Sequence, residues 1–266
     1  MRVRLSNGLA LGYGVRGSGQ AFVFLHPIGT RRALWDGVVD CLQDKGCCVA
    51  VDFRGHGESD TPPGAFTLAE LAGDVIELMR IREMAKVVVV GCSMGGMVAQ
   101  AVAARAPELV SAVVLAGTSH TQTAQSAEAM RRRGREAAAG MPPVVESTID
   151  RWFPPAYRQA RPDSVERVRQ WLLGNDPVVF AWGWQAIAAL DHTQHLRNIK
   201  APVLLVRGSL DASTPAERMR AMQEVLGNAS YAEMPEAGHL APLENPEAFA
   251  GLVRAFVDSR ASDPSK

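Results

Sequence analysis

Long apolar runs are missing from this chain, and with them any segment of membrane-spanning length. Met1 to Ala10 likewise lacks the hydrophobic stretch of a signal peptide. An excess of charge is also missing. The 266 residues carry 28 basic and 28 acidic side chains, for a formal net charge of zero, which argues against a nucleic acid or an anionic membrane as partner. Cysteine is scarce. Cys41, Cys47, Cys48 and Cys92 have no metal-ligand spacing, and Cys47, Cys48 and Cys92 sit in or beside apolar, strand-like segments. Reduced thiols in a core are expected, in a cytoplasmic protein, rather than disulfides. No zinc-ligand cluster is supplied and the Gly-rich turn carries a serine, so neither metal nor cofactor is expected. Internal repeats and low-complexity segments are absent. Nothing here fixes the oligomeric state, and a homo-oligomer stays open.

What is present alternates. A chain of this length can bury a large core and suits one α/β domain with an insertion. Arg2 to Val15 reads as a hairpin turning at Asn7-Gly8. Strands follow at Ala21–Leu25, Cys47–Phe53, Val87–Val90, Val110–Ala116, Ala201–Gly208 and Ser230–Met234, with helical stretches between most of them. Thr67 and Glu70 are spaced as a capping box. Thr214-Pro215 and Asn245-Pro246 each open a helix; Gly227 closes the first, and the chain after Asp258 reads as frayed. Such alternation predicts a mostly parallel, eight-stranded sheet covered on both faces. Between about Ser119 and Asn198 the strand pattern stops and Ala, Arg, Gln and Trp take over. We read residues 119–198 as an inserted helical cap, and 1–118 with 199–266 as the core.

The stretch Val87-Val88-Val89-Val90-Gly91-Cys92-Ser93-Met94-Gly95-Gly96 organises the rest. Four β-branched residues form a buried strand, a serine follows flanked by glycines two residues either side, and Met94 to Arg105 reads as a helix. Strand, Gly-x-Ser-x-Gly and helix in that order are the context of a nucleophile elbow. A serine forced into so tight a turn leaves no room for Cβ atoms at Gly91 and Gly95. The plain alternative is a serine in an ordinary glycine-rich turn. Three further groups fall at strand ends, where α/β sheets carry their sites: the His26-Pro27-Ile28-Gly29 turn, Asp211 and His239. Ser93, Asp211 and His239 also follow one another in the order of an α/β-hydrolase triad.

On these residues the chain resembles α/β-hydrolase-fold enzymes of the capped, cofactor-free branch along essentially its whole length. Within that branch it is most similar to 3-oxoadipate enol-lactonases. The likeness rests on Ile28-Gly29-Thr30 with Trp35 beyond, on Asp52 to Ser59 with its Arg-Gly-His-Gly-x-Ser core, on Ser93-Met94-Gly95-Gly96, and on Arg151-Trp152-Phe153. Related esterases, perhydrolases and carbon–carbon bond hydrolases share most of these motifs. The resemblance implies that a small ester or lactone is opened through an acyl-enzyme, with 3-oxoadipate enol-lactone in aromatic-compound catabolism as the specific substrate type. A general carboxylesterase or perhydrolase-like enzyme is the alternative. A ligand receptor keeping the triad and signalling through its cap is the alternative of another class.

The residue types suit the chemistry. Ser93 needs a base, which His239 supplies, and Asp211 holds the imidazole in the required tautomer. The backbone N–H of Met94 is one oxyanion donor, and by resemblance that of Ile28 is the other. Many relatives carry His-Gly where this chain has His26-Pro27; proline has no N–H, but the expected donor lies one residue later. His26 is expected to order that turn, His56 and Arg54 to brace the core, and Cys92 to fill a gap. Trp152 and His120 are the candidate substrate contacts, each with a structural alternative: Trp152 buried between cap helices, His120 a solvated hinge residue. His192 and His195 lack an acidic cluster. Arg131-Arg132-Arg133 reads as a solvated helix face, with the option that a cap arginine binds a substrate carboxylate.

Overall fold

A computed structural model describes residues 1–261. Eight strands form one sheet: β1 (Arg2–Arg4), β2 (Ala10–Arg16), β3 (Gln20–Leu25), β4 (Gly46–Val51), β5 (Val87–Cys92), β6 (Val110–Ala116), β7 (Val203–Gly208) and β8 (Ala229–Met234). Their spatial order is β1-β2-β4-β3-β5-β6-β7-β8. The two strands of the hairpin pair antiparallel and β2 runs antiparallel to β4; every other neighbour is parallel. The hairpin's loop has three residues rather than two. Leu5 N–H donates to Leu9 O at 2.8 Å around Ser6-Asn7-Gly8, with Gly8 at φ +86°.

The core helices are α1 (Asp36–Leu42, after a 3-10 turn at Arg32–Trp35), α2 (Leu68–Ile81) and α3 (Met94–Arg105), then α10 (Ala216–Leu226), α11 (Ala241–Glu244) and α12 (Pro246–Ala261). Thr67 and Glu70 make the reciprocal capping box at the start of α2. Asn245 caps α12 by accepting the Ala248 N–H at 3.0 Å. That helix runs past the expected frayed point at Asp258 to Ala261, and the rest of the expected frayed stretch, residues 262–266, lies outside the described residues. Helix α10 begins one residue later than expected. Pro215 stands at its N-cap, and Thr214 just before it donates its hydroxyl to Gly117 O at 2.9 Å.

Between β6 and β7 lie α4 (Ala124–Ala138), α5 (Pro142–Trp152), α6 (Pro155–Ala160), α7 (Pro162–Leu173), α8 (Pro177–Ala188) and α9 (Thr193–Asn198). Helices α4 and α8 pack along each other. Trp152, Phe153, Trp171 and Trp184 are buried, so the tryptophans do anchor this segment. The two ends of the excursion meet where Thr121 bridges to Asp191, with Gln122 N–H donating to Leu190 O and His192 N–H to His120 O. Beyond that neck, α9 packs against α3 and α10 of the core.

Topology places the site. β4 lies on one side of β3 and β5 on the other, so the winding reverses between β3 and β5. A crevice opens outside the carboxyl ends of strands at such a reversal. Leu25 pairs in register with Gly91, which sets the turn after β3 beside the turn after β5.

Candidate active site

The turn after β5 is the strained elbow that the glycine spacing implies. Ser93 has φ +54° and ψ −117°, a conformation costing an ordinary residue about 1–3 kcal/mol. Surroundings enforce it. A Cβ at Gly91 would fall on the Gly95 carbonyl, and one at Gly95 on the carbonyl of Leu25 in β3. Ser93 N–H donates to Ala116 O at 2.9 Å, and Ser93 O accepts from Met97 N–H at 3.1 Å and from Thr118 Oγ1 at 2.7 Å. The backbone is fixed on both sides and the side chain faces a cavity of about 230 Å³.

His239 follows β8 and lines the same cavity. Its Nδ1 lies 2.9 and 3.1 Å from the two oxygens of Asp211. Asp211 follows β7, and its Oδ1 also accepts the N–H groups of Ser213 at 2.7 Å and Thr214 at 2.9 Å. Burial pushes this carboxyl's pKa up, but His239 and the two backbone donors outweigh it and hold it below the ordinary value. An ionised Asp211 keeps the proton on Nδ1, so Nε2 is the nitrogen left to take a proton from a hydroxyl. The His239 backbone is held too: its N–H donates to Trp152 O at 2.8 Å, and Gly238 N–H to Glu244 Oε2 at 2.8 Å. Burial raises the Glu244 pKa to about 7.

The N–H groups of Ile28 and Met94 have no acceptor among the described residues. Met94 is the first residue of α3, where the partial positive charge of the helix end adds to its N–H. Ile28 follows Pro27 in a turn braced by two buried histidines. His26 Nδ1 donates to Pro27 O at 2.7 Å and its Nε2 accepts the Phe53 N–H at 3.0 Å. His56 Nδ1 donates to Arg54 O at 3.1 Å and its Nε2 accepts the Gly29 N–H at 3.1 Å. Burial, above all else, lowers both pKa values, so both rings are neutral. Neither histidine lines the cavity. Arg54 is committed to buried Asp74 through two bonds of 2.7 and 2.6 Å. Cys92 is fully buried, which drives its thiol pKa well up and leaves it inert.

The cap supplies the outer wall. Trp152 is 2 % exposed and lines the cavity with its ring 5.9 Å from that of His239, so it is packed between helices and also faces the site. His120 is not among the lining residues. It sits at the cap neck, its carbonyl held by His192 N–H at 2.7 Å. Three arginines line the cavity, Arg133 from α4, Arg151 from α5 and Arg218 from α10, and no Asp or Glu does. Arg151 has one side-chain partner, neutral Ser213 Oγ at 3.1 Å, and its Nη2 is buried without an acceptor among the described residues. Burial, then repulsion by Arg133, lowers its pKa to about 10. Arg133 lies 5.1 Å over the Trp184 ring, so one member of the run read as a solvated face points inward. The sequence signal for Arg151 was its place in Arg-Trp-Phe; Ser213 and Arg218 had none.

A serine in a strained turn and an imidazole backed by a carboxylate, both at one cavity, with the unpaired amides of Ile28 and Met94 in the turns beside it, all at the carboxyl ends of parallel strands, make up a hydrolase architecture. The chain matches the model of the alpha/beta hydrolase fold across residues 20–246 and belongs to that family. It is 30% identical to 3-oxoadipate enol-lactonase 2 of Acinetobacter baylyi over 252 residues, 94% of this chain and 93% of that protein. Among solved structures it superposes with a thermophilic esterase from Thermogutta terrifontis, malate bound, at a TM-score of 0.91 and 28% identity, covering 97% and 98% of the two chains. The enol-lactonase of Burkholderia xenovorans LB400 superposes at 0.90 with 26% identity, covering 97% and 100%. It is a hydrolase with esterase and lactonase relatives. Among the described residues no group of three His, Cys, Asp or Glu could hold a metal ion, and no helix is long and apolar enough to cross a membrane.

Proposed function

We propose that the protein opens a small carboxylate-bearing ester or lactone through an acyl-enzyme on Ser93, with 3-oxoadipate enol-lactone in aromatic-compound catabolism as the specific substrate type. The observation carrying the reaction type is the strained Ser93 facing one cavity with a His239 whose Nδ1 is committed to Asp211. His239 Nε2 takes the Ser93 proton as Oγ adds to the carbonyl carbon. The oxyanion so formed accepts from the N–H groups of Ile28 and Met94. The C–O bond then breaks, and the proton passes from His239 to the leaving oxygen. Water, deprotonated by the same imidazole, releases the acid and restores Ser93. In a lactone the leaving oxygen stays tethered to the acyl group.

The carboxylate is supported by the arginines. A guanidinium that lines a cavity with no facing carboxylate lacks the partner that normally compensates its desolvation. An acid group on the substrate supplies it, as the enol-lactonase resemblance also implies. The test is turnover of an enol-lactone, a saturated lactone and a neutral aryl ester by the wild type and Ser93→Ala, with intact-mass detection of the acyl adduct. Ser93→Ala should lose on the order of a thousandfold or more with the fold kept. Turnover near the wild-type rate in that variant would overturn the reading.

A further inference from the structure

The turn after β3 is gripped from both the core and the cap. From the core, His56 Nε2 accepts the Gly29 N–H at 3.1 Å. From the cap, Asn175 Nδ2 donates to Gly29 O at 2.9 Å. The same amide nitrogen lies 2.7 Å from Trp171 O and 3.2 Å from Leu172 O, near the end of α7. Asn175 thus ties the link between α7 and α8 to the core. Packing runs the same way. A Cβ on Gly29 would lie 2.5 Å from the Phe180 ring and 2.8 Å from Leu172, and one on Gly183 would lie 2.8 Å from Ile28. Within the turn, Pro27 O accepts from His26 Nδ1, Thr30 N–H and Thr30 Oγ1. Among residues 28–30 the N–H groups of Gly29 and Thr30 have acceptors and that of Ile28 has none among the described residues.

We propose that Asn175 is a positioning residue for the oxyanion donor: by holding the Gly29 carbonyl, the cap sets the direction of the Ile28 N–H. This rests on reading Ser93 as nucleophile and Ile28 as donor. Gly29 stands at φ +72°, and a glycine has several conformations open to it once outside restraints are removed. An oxyanion donor works because it is aimed before the charge develops. Loosening Gly29 therefore costs rate, while the substrate's ground state, bound by the cap wall, is little affected.

The test compares Asn175→Ala and Asn175→Asp with the wild type on a neutral aryl ester, reading kcat and KM separately. It adds the inhibition constant of a phenylboronic acid, which bonds to Ser93 Oγ and places a boron-bound oxygen in the oxyanion position. Both variants should lose roughly tenfold to a hundredfold in kcat, with boronate affinity falling in step and KM held within about threefold. A kcat within twofold of wild type, or a loss with boronate inhibition unmoved, overturns the proposal. Asn175→Asp keeps the side-chain volume and carries the same test should the alanine variant not fold. Ser93→Ala in parallel separates the failures. Turnover surviving in it defeats the nucleophile reading, whereas an inactive Ser93→Ala beside a fully active Asn175→Asp defeats only the role of Asn175.

Discussion

Arg151 sets the chemistry expected of the substrate more than any other single residue. Several surface arginines of this chain face carboxylates, as Arg169 faces Glu146 and Glu166, but Arg151 reaches only the Ser213 hydroxyl. A charge-assisted bond to a substrate acid group is worth about 1.5–3 kcal/mol, or roughly tenfold to a hundredfold in binding. Arg151→Met should raise KM by that factor for an ester bearing a free carboxylate and leave a neutral aryl ester within about twofold. Steady-state kinetics on the matched pair decide it, and equal losses on both would assign Arg151 to packing. Ser93, by contrast, is legible in the sequence, because the constraint that strains its turn is written in its neighbours: Gly91 and Gly95 are small since backbone occupies the space where their Cβ atoms would stand.

Helix α5 acts on the site in two ways. Its last residue, Trp152, gives its carbonyl to the His239 N–H and its ring to the cavity wall. The backbone bond survives substitution and the ring does not. Trp152→Ala should therefore leave His239 in place, cost about 3–5 kcal/mol from the emptied space, and alter the ratio of lactone to aryl-ester rates tenfold or more. Melting temperature and both rates measured together check this, and a uniform loss on the two substrates would count against Trp152 in substrate choice. Elements of this kind show where sequence reading stops. The Thr67 capping box, the buried strands and the elbow are local patterns with local causes, and they stand in the structure as expected. Asn175, Arg218 and Ser213 carry no such mark. Their roles come from partners far along the chain, which only the assembled sheet and the helices seated on it bring near. The Thr214-Pro215 signal lies one residue early: Thr214 is tied into the turn after β7, its N–H donating to Asp211 Oδ1 and its hydroxyl to Gly117 O, and the helix starts beyond it.

At the scale of the whole molecule, several buried imidazoles make stability depend on pH. His26, His56, His120 and His192 all have pKa values lowered chiefly by burial, His192 to about 4. Each is neutral in the fold and takes up a proton near pH 6.5 once unfolded. Their stabilising contribution is complete above about pH 6.5 and is lost as the pH falls below it towards the folded values. Glu244, raised to about 7, works in the opposite sense, its contribution fading as the pH rises through 7. Four groups outweigh one. Urea midpoints should fall steadily between pH 7 and pH 5, and Glu244→Gln should steepen that fall; a flat profile would refute the neutral assignment.

The neck at Thr121 and Asp191 carries a consequence for ancestry. Strands β6 and β7 pair directly whatever hangs between them, and lengthening a closed loop costs only logarithmically in chain entropy. The fold is thus expected to tolerate recombination at this seam, where a different excursion can be spliced in without disturbing the pairing of β6 with β7. Yet the spliced segment brings Trp152, Arg151 and Asn175 with it, which brace His239, charge the wall and grip the turn after β3. A transplant across the seam would exchange part of the machinery along with the selectivity, so grafted caps should need matching core turns before they regain full speed.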